Sequence, residues 1–87
     1  VYAVVLETPD GEAHPGVANL GYRPTFAGKS FSIEAHLFDF DGDLYGLLTR
    51  LHFVARVRGE RRFESLDALV EQIRRDERKV RGMLPFE

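Results

Sequence analysis

Glu34 and His36 occupy the stretch FSIEAHLFDF (Phe31–Phe40), in which Phe31, Ile33, Ala35 and Leu37 alternate with Ser32, Glu34 and His36. Alternation of this period sets Glu34 and His36 side by side on the less apolar face of a strand. A carboxylate there, if partly shielded from water, can accept a proton as a general base. The commoner use of such a face is simply to meet solvent.

A second group, Arg58, Arg61, Arg62 and Phe63, is basic with an aromatic beside it. Guanidinium groups hold phosphate in a planar fork or stack on a flat ring. A solvated charged loop accounts for the same residues. Asp39, Asp41 and Asp43 open like a calcium loop, but the closing Glu is lacking, so a charged turn is expected there. His14, His36 and His52 have no metal-ligand spacing. No metal site is expected from these residues. Gly28-Lys29-Ser30 suggests a phosphate loop, yet position 23 is Arg where that motif needs Gly.

These groups need elements to hold them. Val1–Glu7 is β-branched and aromatic and reads as a buried strand. Thr8-Pro9-Asp10-Gly11 has turn chemistry. His14–Tyr22 reads as a second strand, in which Gly16 and Gly21 suggest bulges or a close backbone approach. Arg23–Ser30 reads as a loop. Asp41-Gly42 predicts a hairpin. Thr49–Arg58 alternates again, with Leu51, Phe53, Ala55 and Val57 inward. From Ser65 the period lengthens: Leu66, Leu69, Val70, Ile73 and Val80 form a helical stripe. Ser65 is the expected N-cap, and Gly82 and Pro85 mark the stop. The pattern predicts a mainly β, α+β domain, with strands over about residues 1–58 and one C-terminal helix over about 65–81.

Composition narrows the classes further. Apolar residues at 44% support a packed core and argue against disorder. The 87 residues suffice for one small domain. Absence of cysteine excludes disulfides and thiolate zinc sites, and fits a reducing cytoplasm. No apolar run nears the roughly 20 residues that span a bilayer, so no membrane role is expected. A formal charge of -2 and no aromatic stacking platform argue against nucleic acid as a partner. On residues alone, an enzyme and a ligand-binding β module both stand.

Three longer segments carry a family likeness: GVANLGYRPTF (Gly16–Phe26), IEAHLFDFDGDLYG (Ile33–Gly46) and RFESLDALVEQIRRD (Arg62–Asp76). Together they resemble the riboflavin kinase module of bacterial bifunctional FAD synthetases, from Val1 to about Arg81. The resemblance implies a small antiparallel β-barrel of about six strands with a helix at its C-terminal end. It implies an ATP:riboflavin 5'-phosphotransferase that makes FMN, with Mg²⁺ arriving with ATP. It assigns Glu34 as catalytic base toward the ribityl 5'-hydroxyl. Leu37, Asp39 and Tyr45 would line the ATP site. Arg58, Arg61 and Phe63 would contact riboflavin or FMN. An adenylyltransferase domain is implied upstream, in a cytoplasmic enzyme.

One departure bears on activity. The family's Pro-Thr-Ala-Asn motif, which binds nucleotide phosphate and helps hold Mg²⁺, does not occur in these 87 residues. The chain begins at Val1, within an apolar run. The expectation is a domain missing its first strand and nucleotide segment, with little or no kinase activity alone. A non-catalytic flavin- or nucleotide-binding barrel is the alternative.

Overall fold

A computed structural model describes residues 1–86, apart from the side chains of Arg23 and Pro24. Four antiparallel strands form one sheet: β1 (Tyr2–Glu7), β2 (Ala13–Thr25), β3 (Gly28–Leu37) and β4 (Arg50–Arg56). They are ordered β3-β2-β1-β4. One helix, α1 (Leu66–Arg81), follows. The mainly β architecture with a C-terminal helix is therefore as the sequence implies. Among the described residues β3 and β4 are the two edges of the sheet.

Residues expected to form a loop instead extend the β2–β3 hairpin. Arg23 pairs with Ser30, Pro24 with Lys29 and Thr25 with Gly28. Gly28 has φ +136°, which lets the chain reverse within a short turn. Beyond Ala18, β2 has only β3 as a neighbour, and proline is tolerated where a strand lacks a second partner. Gly16 marks a tight approach between the strands. A Cβ there would lie 2.2 Å from the His36 carbonyl oxygen.

The Asp41-Gly42 hairpin does not form. β3 and β4 lie at opposite edges, with β2 and β1 between them, so residues 38–49 cross from one edge to the other. Asp39, at φ +53°, turns the chain off the end of β3. Aspartate tolerates this left-handed conformation better than most residues.

Alternation along β4 is also interrupted. A register shift between Ala3 and Val4 pairs Ala3 with Ala55 but Val4 with Phe53. Ala55 thus shares the face of Ala3, and Phe53 shares the opposite face with Val4. Leu51, Phe53, Ala55 and Val57, expected on one face, divide between two because a bulge adds a residue.

The face carrying Ala3 meets the helix. Ala3, Phe38 and Val80 form the buried cluster, with Val17, Ala55, Val57, Leu84 and Phe86 packed around it. Ser65 caps α1 by accepting a hydrogen bond from the Ala68 N–H at 3.1 Å. Asp67 in the first turn and Arg78, Lys79 and Arg81 in the last complement the helix dipole. Only Asp76 and Val80 of α1 are buried. Leu69, Val70 and Ile73 remain between 36% and 46% exposed. The helix therefore anchors by its C-terminal half, and its N-terminal half stands off the sheet. Val80 should carry much of that anchorage. Val80→Ala is expected to cost about 2 kcal/mol in urea unfolding.

Candidate functional site

Where α1 stands off the sheet, a cleft of about 850 Å³ opens. Small-molecule sites commonly span ~300–1,000 Å³. Its floor is the helix-facing side of β2 and β3, which contributes Val17, Asn19, Glu34 and His36. The face follows from pairing. Val17 lies opposite His36 and Asn19 opposite Glu34, so all four share the side of Ala3. The polar face of β3 thus lines the cleft, and the apolar face carrying Phe31 and Ile33 lies more than half exposed.

The second wall is the segment between β4 and α1. Arg58, Glu60, Arg61, Arg62 and Phe63 line it. The guanidinium carbons of Arg58 and Arg61 lie 5.9 and 5.4 Å from the Phe63 ring centre, within reach of a cation–π contact. The Arg58 N–H is fixed on the Val1 carbonyl at 3.3 Å. Glu60 reaches across toward β2, where a Cβ on Gly21 would come within 2.8 Å of its carboxylate.

The third wall is α1, through Leu69, Ile73 and Asp76. Asp76 is 5% exposed and accepts paired hydrogen bonds from Arg58 Nε at 3.0 Å and Nη2 at 2.7 Å. Burial works against its charge. Hydrogen bonds from Arg58 and Gln72, with the Arg58 charge, outweigh that cost and hold the carboxyl below the ordinary aspartate range.

Glu34, Arg58, Arg61 and Phe63, separate in sequence, therefore border one cleft. Leu37, Asp39 and Tyr45 do not line it. Leu37 pairs with Gly16 at the end of β3 and shares the opposite face from His36. Asp39 accepts from Arg81 Nη1 at 2.9 Å and Nη2 at 3.1 Å. These hydrogen bonds, then the Arg81 charge, hold the Asp39 carboxyl below its usual range. Arg81 also lies 4.5 Å over the Phe38 ring, so Asp39 helps fasten the end of α1 to the core. Tyr45 is 94% exposed, and its N–H donates to Asp43 at 2.8 Å. Near it, a smaller hollow of about 360 Å³ lies between the β1–β2 turn and residues 40–47.

Sequence reasoning missed Asn19, Glu60, Gln72 and Asp76. Asp76 left a signal. It follows Ile73 by three and precedes Val80 by four, so it sits on the apolar stripe of α1. An acid at a core-facing helical position calls for a buried partner.

A four-stranded antiparallel sheet, a C-terminal helix and a cleft bordered by a carboxylate, arginines and a phenylalanine define a small α+β domain with a cleft of small-molecule size. The family model for riboflavin kinase matches residues 1–84, and the chain belongs to that family. It is 43% identical to the bifunctional riboflavin kinase/FMN adenylyltransferase of Bacillus subtilis strain 168, over 92% of this chain and 26% of the relative. It is 46% identical to the bifunctional riboflavin kinase/FMN adenylyltransferase of Escherichia coli strain K12, over 93% of this chain and 26% of the relative. A crystal structure described as a macrolide-efflux protein from Streptococcus pneumoniae superposes with a TM-score of 0.81 at 32% identity. That match covers 93% of this chain and 26% of the other. The chain thus spans about a quarter of the length of these relatives.

Proposed function

We propose that this domain transfers the γ-phosphoryl group of ATP to the 5'-hydroxyl of riboflavin, producing FMN and ADP. Membership of the riboflavin kinase family supports the reaction class. The observation that carries the residue assignment is the shared cleft, with Glu34 on its floor and Arg61 and Phe63 on the facing wall.

In this reading Glu34 accepts the ribityl 5'-OH proton as that oxygen attacks the γ-phosphorus. The phosphorus–oxygen bond to the β-phosphate breaks, and ADP leaves. A positioned carboxylate suits this role because the hydroxyl is a poor nucleophile until its proton has an acceptor. Phe63 offers an apolar ring to the isoalloxazine, and Arg61 offers N–H donors to a flavin carbonyl or a nascent phosphate. His36, beside Glu34, helps orient the strand. Leu37, Asp39 and Tyr45 are proposed for the ATP side. Those three lie outside the 850 Å³ cleft, so the nucleotide would approach Glu34 from beyond it.

Mg²⁺ would accompany ATP. Among the described residues no cluster of three or more His, Cys, Asp or Glu side chains is placed to hold a metal ion. The proposed proton transfer rests on Glu34.

The bifunctional relatives carry FMN adenylyltransferase in their names. We extend the proposal to a kinase domain acting within such an enzyme, in the cytoplasm. No helix among the described residues is long and apolar enough to cross a membrane. The test is FMN formation from riboflavin and MgATP by the full-length protein, followed by chromatography. Stoichiometric FMN and ADP are expected. Saturable flavin binding without FMN would favour the non-catalytic alternative instead.

A further inference from the structure

The arginine-bearing wall is tied to the helix by a continuous chain of hydrogen bonds. Arg58 holds Asp76 by its Nε and Nη2, and its Nη1 donates to the Gly59 carbonyl at 3.0 Å. Gln72 Nε2 donates to Asp76 Oδ1 at 3.0 Å. Arg61 Nη1 donates to Gln72 Oε1 at 2.8 Å. Arg61, Gln72, Asp76 and Arg58 are thus linked in series, and both arginines meet the same phenylalanine ring.

The order of this chain follows from donor and acceptor chemistry. An ionised carboxylate only accepts, so the Gln72 amide must turn its NH₂ toward Asp76. That leaves the amide oxygen for Arg61, which only donates. The buried acid therefore fixes the amide, and the amide fixes the arginine.

The two arginines differ in freedom. Arg58 is 20% exposed at its side chain and bonded at both ends of its fork. Arg61 is exposed, and among the described residues its hydrogen bond is to Gln72. Arg58 suits a structural post, and Arg61 suits an approaching ligand.

We infer that Asp76 and Gln72 are positioning residues that hold Arg61 and Phe63 in place for the flavin, with Arg58 as the post joining them. The inference rests on the proposed riboflavin phosphorylation and deepens it. Neither Asp76 nor Gln72 needs to take part in the chemistry. Their effect should therefore fall mainly on the riboflavin KM.

The test is a mutant cycle in the full-length protein, read by riboflavin KM, kcat and thermal melting. Gln72→Ala and Arg61→Ala should each raise KM by roughly fivefold to tenfold. The double variant should raise it no further than the worse single variant, because both changes cut one chain of contacts. Gln72 is on the helix surface side of the network, so its variant should fold even where an Asp76 variant does not. Asp76→Asn should raise KM comparably, and Asp76→Glu should recover part of the loss. Multiplying KM effects in the double variant would overturn the inference, as would single variants that lower the melting temperature at constant KM. A wild-type protein that makes no FMN would sink the proposed function itself, and the inference with it.

Discussion

Replacing Glu34 with glutamine is expected to lower kcat for FMN formation by about 10²–10⁴-fold, with riboflavin affinity little changed. Glutamine keeps the length and shape of the side chain and removes its basicity. Phe63 and Arg61, proposed to contact the flavin, belong to a different segment of the cleft lining, so substrate should still enter. Glu34 is an exposed residue of an edge strand, and stability should stay within about 1 kcal/mol of wild type. The measurement is steady-state FMN formation beside a riboflavin fluorescence titration. A drop in both kcat and affinity would mean that Glu34 holds the substrate. A near-normal kcat would remove it from the mechanism.

The second large effect concerns stability. Arg58→Ala strands the Asp76 carboxylate in a buried position, with Gln72 as its remaining hydrogen-bond partner among the described residues. Removing one partner of a buried ion pair typically costs about 3–5 kcal/mol. A small domain has only ~5–15 kcal/mol in total, so much of the folded stability should go. The pair also sets an acid dependence. Asp76 has a folded-state pKa below its ordinary value. Its contribution is present above the unfolded value of about 4 and is lost as pH falls through the folded one. Urea unfolding at neutral pH and near pH 3 should show the two proteins converging as pH falls. An equal gap at both pH values would mean that Arg58 contributes by packing rather than by charge.

The strands and the helix were legible because their signals are local. Alternation marks β3 and β4, and the apolar stripe with Ser65 marks α1. What alternation cannot tell is which face is covered. In β3 the apolar residues Phe31 and Ile33 face outward and the polar Glu34 lines the cleft. The Asp41-Gly42 signal failed for a related reason. A turn pair forms a hairpin only when its flanking strands are neighbours, and here β1 and β2 intervene. The bulge at Ala3/Val4 depends on pairing between distant segments and left no mark in β4 alone.

The site was legible in part. Glu34, Arg58, Arg61 and Phe63 were chosen by residue type and family likeness, and they border one cleft. That Arg58 pairs with Asp76 could not be read from a basic segment, because the partner is 18 residues further on. The Arg81 fork on Asp39 was hidden by a separation of 42 residues. Asp76 alone was open to discovery, as an acid on an apolar helical stripe.

A crystal structure of the full-length protein with FMN and ADP tests the central assignment most directly. The isoalloxazine should lie between Phe63 and the floor of β2 and β3, with the ribityl end at hydrogen-bond distance, roughly 3 Å, from the Glu34 carboxylate. A flavin bound on the opposite face of the sheet, against Ile33 and Phe53, would contradict the account.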